Sequence, residues 1–170
     1  MPITGFSPRL GVGAWELLQR GRLETNATTV TISGLDGDVD ELYMFVAFII
    51  NAAGESCNYS LCPNNTTDMG TYQYLQGLGD GASAYTSSIQ IFSLWAMTAG
   101  EDGLFSIIIN AHTGVARQGL TTIARSYPAV MVIGSRWTNT VDNITSFVFA
   151  ADQANGLGAG TAYWLFRVAP

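Results

Sequence analysis

The run Asp36-Gly37-Asp38-Val39-Asp40-Glu41 is the densest set of metal-capable oxygens in this chain of 170 residues. Carboxylates at alternate positions match the opening of a calcium loop, whose oxygens converge on a hard cation. The match then fails. The sixth position, which needs glycine for a sharp turn, is Glu41, and the twelfth, which needs a bidentate glutamate, is Ala47. Asp-Gly is also ordinary turn chemistry between strands, and a solvated turn is the better reading. Cys57 and Cys62, with His112 as the one possible helper, fall short of the ligand set usual for zinc. They read instead as half-buried thiols on or beside a strand end. A local disulfide stays open, because spacing alone does not set connectivity. No metal and no cofactor are expected.

Catalytic groups are sparse. A Ser–His–Asp constellation has only His112 to serve as its base, and His112 precedes Thr113-Gly114 in a turn. There is no Gly-x-Ser-x-Gly elbow. Glu55, Glu101 and Asp102 fall in loops, where paired carboxylates for glycoside hydrolysis are conceivable but solvation is the ordinary explanation. The glycine clusters 77–81 and 156–160 lack the strand before and helix after that a phosphate cradle needs, so they read as loops. Asn26, Asn58, Asn64, Asn65 and Asn143 fit the glycosylation pattern, at a frequency that an Asn/Ser/Thr-rich chain reaches by chance. Tyr72, Tyr74, Tyr85 and Trp137 could stack on sugar rings, although alternating aromatics more often pack across strands. The expectation is a protein that is not an enzyme and has no catalytic residue.

The elements that would position these groups are strands. Val30 and Ile32 alternate with Thr29, Thr31 and Ser33, and the habit returns over Thr161–Val168. No apolar stripe at helical spacing interrupts them. Ala14–Glu24 reads as a strand that pairs near the C-terminus, Thr28–Ser33 as a strand, Gly34–Asp40 as a turn, and Leu42–Asn51 as a strand buried on both faces. Asn58–Cys62, Thr71–Leu75, Ser88–Trp95, Leu104–Asn110, Leu120–Tyr127, Val130–Trp137, Ile144–Ala150 and Thr161–Val168 complete roughly nine or ten strands at sandwich spacing. Gly77–Ser83 reads as a glycine-rich turn. The fold expected is an all-β antiparallel sandwich, jelly-roll-like, over residues 14–170. An up-and-down barrel is its competitor. Residues 1–13, with Pro2, Gly5, Pro8, Gly11 and Gly13, read as a short extended N-terminal arm.

Composition narrows the partners. The net charge is −6 with all seven cations arginine and scattered, which argues against nucleic acid, since that partner draws on clustered cations. The longest apolar run, Leu42–Ile50, is too short to cross a bilayer, and no secretory signal is visible, so no membrane is expected. Hydrophobic residues make up 48% of the chain and charged ones 12%. A surface this poor in charge favours oligomerisation or docking.

Trp15-Glu16-Leu17-Leu18, Leu23 and Thr29-Val30-Thr31-Ile32-Ser33-Gly34-Leu35-Asp36, followed by an apolar strand, resemble the opening of small β-sandwich structural proteins of tailed-phage virions. The likeness continues through Tyr72-Gln73-Tyr74-Leu75-Gln76-Gly77, Ser87-Ser88-Ile89 and Gly158-Ala159-Gly160-Thr161-Ala162-Tyr163-Trp164-Leu165-Phe166. It implies a virion protein with a jelly-roll-like fold and, commonly, a homotrimer. A capsid decoration (cement) protein on the outer surface of the head is favoured, bound to the major capsid protein through the arm. Phe6, Leu10, Val12 and Trp15 are its expected anchors and Arg9 its charged contact. A tail-fibre or tail-tip protein binding a host glycan is the alternative.

Overall fold

Alternation of apolar and polar residues, broken by glycine and asparagine turns, produces an antiparallel β-sandwich. A computed structural model describes residues 14–65, 74–78, 81–85, 92–126 and 130–168. Its elements are β1 (Trp15–Arg22), β2 (Thr29–Ser33), the single-turn α1 (Gly37–Asp40), β3 (Leu42–Ile50), β4 (Cys57–Pro63), β5 (Tyr74–Leu78), β6 (Gly81–Tyr85), β7 (Ser93–Met97), β8 (Asp102–Asn110), β9 (Arg117–Arg125), β10 (Val130–Trp137), β11 (Ser146–Ala151) and β12 (Ala162–Val168). One sheet runs β1-β12-β3-β8-β9-β10 and the facing one β2-β11-β4-β7. All strand pairs are antiparallel.

The chain crosses between the two sheets at β1→β2, β2→β3, β3→β4, β7→β8, β10→β11 and β11→β12. With β9, β10 and the β5–β6 hairpin set aside, each sheet is four strands in jelly-roll order, and two Greek keys close around one core. The β9–β10 hairpin is therefore an insertion that widens the first sheet. The β5–β6 hairpin is a second insertion, and β5 lies alongside β10. Two separate sheets rule out the barrel.

The core is an aromatic seam between the sheets. Tyr43, Phe45, Ala47 and Ile49 point inward from β3 and are fully buried. Tyr43 meets Phe147 edge-on at 5.6 Å and Phe45 meets Phe149 at 5.3 Å, within the range where ring pairs add to plain burial. Gly119 lies on the inward side of β9. A Cβ there would come within 2.8 Å of Phe92 and Ile107, so the glycine makes room for the ring that β9 must cover.

Several sequence expectations change here. The turn Gly34–Asp40 contains α1, held by Gly37 N–H donating to the Ile144 carbonyl and Asp40 N–H to the Asp36 carbonyl. Strand β3 is not buried on both faces: Met44, Val46 and Ile50 are half-buried and Phe48 is exposed. The strand expected over Ser88–Trp95 is described only from Ser93, and that over Thr71–Leu75 only from Tyr74. Residues 1–13, including Phe6, Arg9, Leu10 and Val12, lie outside the described residues. Trp15, the remaining expected anchor, opens β1.

Truncating Phe149 to alanine removes one side of the seam and leaves a cavity. Urea unfolding of Phe149→Ala is expected to show a loss of about 3–5 kcal/mol; a loss under about 1 kcal/mol would mean that the seam does not hold the sheets together.

Candidate functional site

Strand parity that sends one set of β3 and β8 side chains into the core sends an equally apolar set outward. The strand registers align these outward residues in rows across the six-stranded sheet. Arg20, Trp164, Val46, Ser106, Thr122 and Val132 form one row. Leu17, Phe166, Met44, Ile108, Leu120 and Gly134 form the next. Arg22, Ala162, Phe48, Leu104, Ala124 and Val130 form a third. Leu104, Leu120 and Val130 are 50%, 53% and 68% exposed. Two of those three belong to the inserted hairpin, so the insertion enlarges the apolar face. Within its centre the Ser106 and Thr122 hydroxyls bond each other at 2.6 Å.

An open groove of ≈ 520 Å³ crosses this face toward β10, floored by Leu42, Ile108 and Leu120, with Asn110, Gln118 and Arg136 at its polar end. Gly134 contributes open space, since a Cβ there would meet nothing within 4 Å. Charge is confined to the rim. Arg20 and Arg22 lie on β1 at one edge, Arg136 on β10 at the other, and Asp102 at the start of β8. Among the described residues these three arginines have no carboxylate partner. Arg117 is fully buried, Arg125 pairs with Glu101 at 3.6 Å, and Arg167 pairs with Asp40 at 2.7 Å and Glu16 at 2.9 Å.

The acidic run does not form a cation site. Asp36 accepts from the Asn143 amide at 2.8 Å. Asp38 accepts from the Thr113 N–H at 2.9 Å and faces His112 at 3.6 Å; the backbone bond, more than the His112 charge, lowers its pKa. Asp40 is buried, paired with Arg167 and bonded by the Tyr43 hydroxyl at 2.7 Å. Burial, reinforced by that bond, pushes the Tyr43 phenol far above its usual range. The carboxylates answer three different partners, and no metal-binding cluster occurs among the described residues.

The other singled-out residues are structural. His112 is exposed, and Asp38 is its one ion-pair partner among the described residues. Glu101 accepts from the Thr98 N–H at 2.9 Å and pairs with Arg125. Cys57 and Cys62 are free thiols on one strand, Cys57 in the core and Cys62 on the outer side; that separation along β4 exceeds disulfide reach. Burial raises the pKa of both. Trp137 is buried beneath Arg117, whose guanidinium carbon sits 5.0 Å from the ring centre, so it stacks on no sugar. Asn58, Asn64 and Asn143 spend their side-chain amides on internal bonds. The loop 156–160 threads under Ile50, where the Gly158 N–H donates to the Ile50 carbonyl at 2.8 Å. The sheet face was missed from the sequence, although Leu42–Ile50 and Leu104–Ile109 are apolar at both parities, which is its signal.

Neither a protein-family model nor a curated protein matches the chain. Among solved structures it is similar to the PL-14 alginate lyase from Aplysia kurodai, at 9% identity over 89% of this chain and 82% of that one, with a TM-score of 0.39. It is similar to the alginate lyase Aly36B in complex with alginate tetrasaccharide, at 15% identity over 89% and 80%, TM-score 0.37. It is also similar to scytalido-glutamic peptidase, at 15% identity over 82% and 74%, TM-score 0.35. These likenesses correct the expectation that the chain is not an enzyme. At such identities they assign no reaction and no residue to this chain.

Titration calorimetry with calcium chloride into the millimolar range is expected to show no saturable heat; a saturable signal lost in Asp38→Asn would overturn the reading of the acidic run. A thiol reagent at neutral pH is expected to leave Cys57 unmodified in the folded chain and to modify it in urea. Rapid labelling of folded Cys57 would contradict its burial.

Proposed function

We propose that this chain is a structural component of a virus particle, a decoration protein of a tailed-phage head that binds neighbouring major-capsid subunits and reinforces the shell. One observation carries the reading: the outer face of the widened sheet exposes a largely apolar centre, with Leu104, Ile108, Leu120 and Val132 in water and arginines at the rim. A face of that kind is an adhesive surface, because contiguous exposed apolar patches mark sites of association. By fold-level analogy, jelly rolls recur in viral capsid domains, and the sequence resemblance points the same way. Contacts between subunits supply adhesion. The residues expected to reach the capsid, Phe6, Arg9, Leu10 and Val12, precede in sequence Trp15, which opens the edge strand β1. A protein that binds only the assembled lattice stabilises that lattice by mass action. The glycan-binding alternative loses Trp137 to the core, and we do not carry it further.

Full-length protein mixed with purified heads that lack it is expected to sediment with them and to raise the temperature at which they release their DNA. Absence of co-sedimentation contradicts the proposal. Deletion of residues 1–13 is expected to weaken binding; undiminished binding rejects the arm's part in it.

A further inference from the structure

Who covers the outer face is a separate question from whether it docks, and the answer below rests on reading that face as the working surface. We infer that in free solution this face is covered by a second copy of this chain, packed face to face on the six-stranded sheet, an association that binding to heads replaces. Size supports this first. Six strands at about 4.8 Å spacing and three outward rows along each strand give a footprint on the order of 600 Å² per copy, or about 1,200 Å² for a pair, which is the lower end of the range for a stable specific interface.

Chemistry supports it second. The centre of the face carries no charged side chain, and its one polar pair, Ser106 with Thr122, is internally bonded at 2.6 Å. Within that pair only one hydroxyl proton is left to find an acceptor when the face is covered. Depletion of charge at the core with charge at the rim is the anatomy of a homodimer interface. The arginines at the rim, Arg20, Arg22 and Arg136, lie on the first and last strands of the sheet. Their heads stay in solvent while their stems extend the apolar surface.

Two sheets meeting by these faces would stack as the two sheets of one sandwich do, about 10 Å apart with side chains interdigitated. The groove over Gly134 then receives side chains of the partner copy. Because apolar contact carries the association, added salt does not dissolve it.

Sedimentation velocity of the full-length chain at micromolar concentration tests this. A species of twice the 18.2 kDa chain mass, retained at high salt, is expected. Leu120→Asp and Ile108→Asp place a charge in the covered centre and are expected to weaken association by about tenfold or more. The milder Val132→Thr is expected to weaken it less, and Thr31→Asp on the opposite sheet not at all. Far-ultraviolet spectra and urea midpoints confirm that each variant folds. A dimer indifferent to the outer-face variants overturns the inference, as does a wild type that stays monomeric. If the wild type is monomeric and Leu120→Asp nevertheless loses binding to heads, self-pairing is overturned while the docking reading stands.

Discussion

A six-stranded sheet that is apolar on both faces cannot be satisfied by one covering sheet. The rest of this structure follows from how the chain divides that burden. Strands β2, β11, β4 and β7 cover one side and form with it the aromatic seam of Tyr43, Phe147, Phe45 and Phe149. The other side keeps Leu104, Ile108, Leu120 and Val132 exposed. Burial of the first set stabilises the fold, whereas the second set stays in contact with water. The β9–β10 insertion, which a plain jelly roll does not need, enlarges that second set.

Buried polar groups fix the ends of the sandwich. Arg117 is fully buried on β9 and donates to the carbonyls of Ala111, Asn139 and Asp142. One guanidinium thereby ties the β8–β9 turn to the loop that leads into β11. Burial lowers its pKa, while the charges of Asp38 and Asp142 act in the opposite direction. At the β1 edge, Arg167 binds Asp40 and Glu16 together. The acidic run that looked like a cation loop is thus part of the frame, each carboxylate committed to a separate donor. Removing one partner of a buried pair leaves an uncompensated charge, so these contacts define the fold more than they add to its stability.

The strands were largely legible. Period-two alternation located β2 and β12, an apolar run located β8, and the pairing of Trp15–Arg22 with the C-terminal strand was expected and is found. Local pattern reaches that far because parity is a property of neighbouring residues. It did not reveal α1, a single turn held by a long-range bond to Ile144. Nor did it reveal that Arg117 is buried, since two of its three acceptors, the Asn139 and Asp142 carbonyls, come from a loop distant in sequence. The site was less legible still. Attention went to the acidic run, His112 and the terminal arm, because those residue types carry chemistry singly. The outer face is a property of six strands at once. Only the registers of Phe166, Met44, Ile108 and Leu120 bring it together. The apolar runs in β3 and β8 read as burial on both faces, whereas the second covering layer is not found among the described residues.

Carbene footprinting of the full-length protein, compared between dilute and concentrated solution, tests most directly whether this face is covered by association. Labelling of Leu104, Ile108, Leu120 and Val132 is expected to fall as concentration rises, while labelling of Thr29 and Thr31 on the opposite sheet stays constant. Equal labelling of the outer face at all concentrations and in the presence of purified heads would contradict the account.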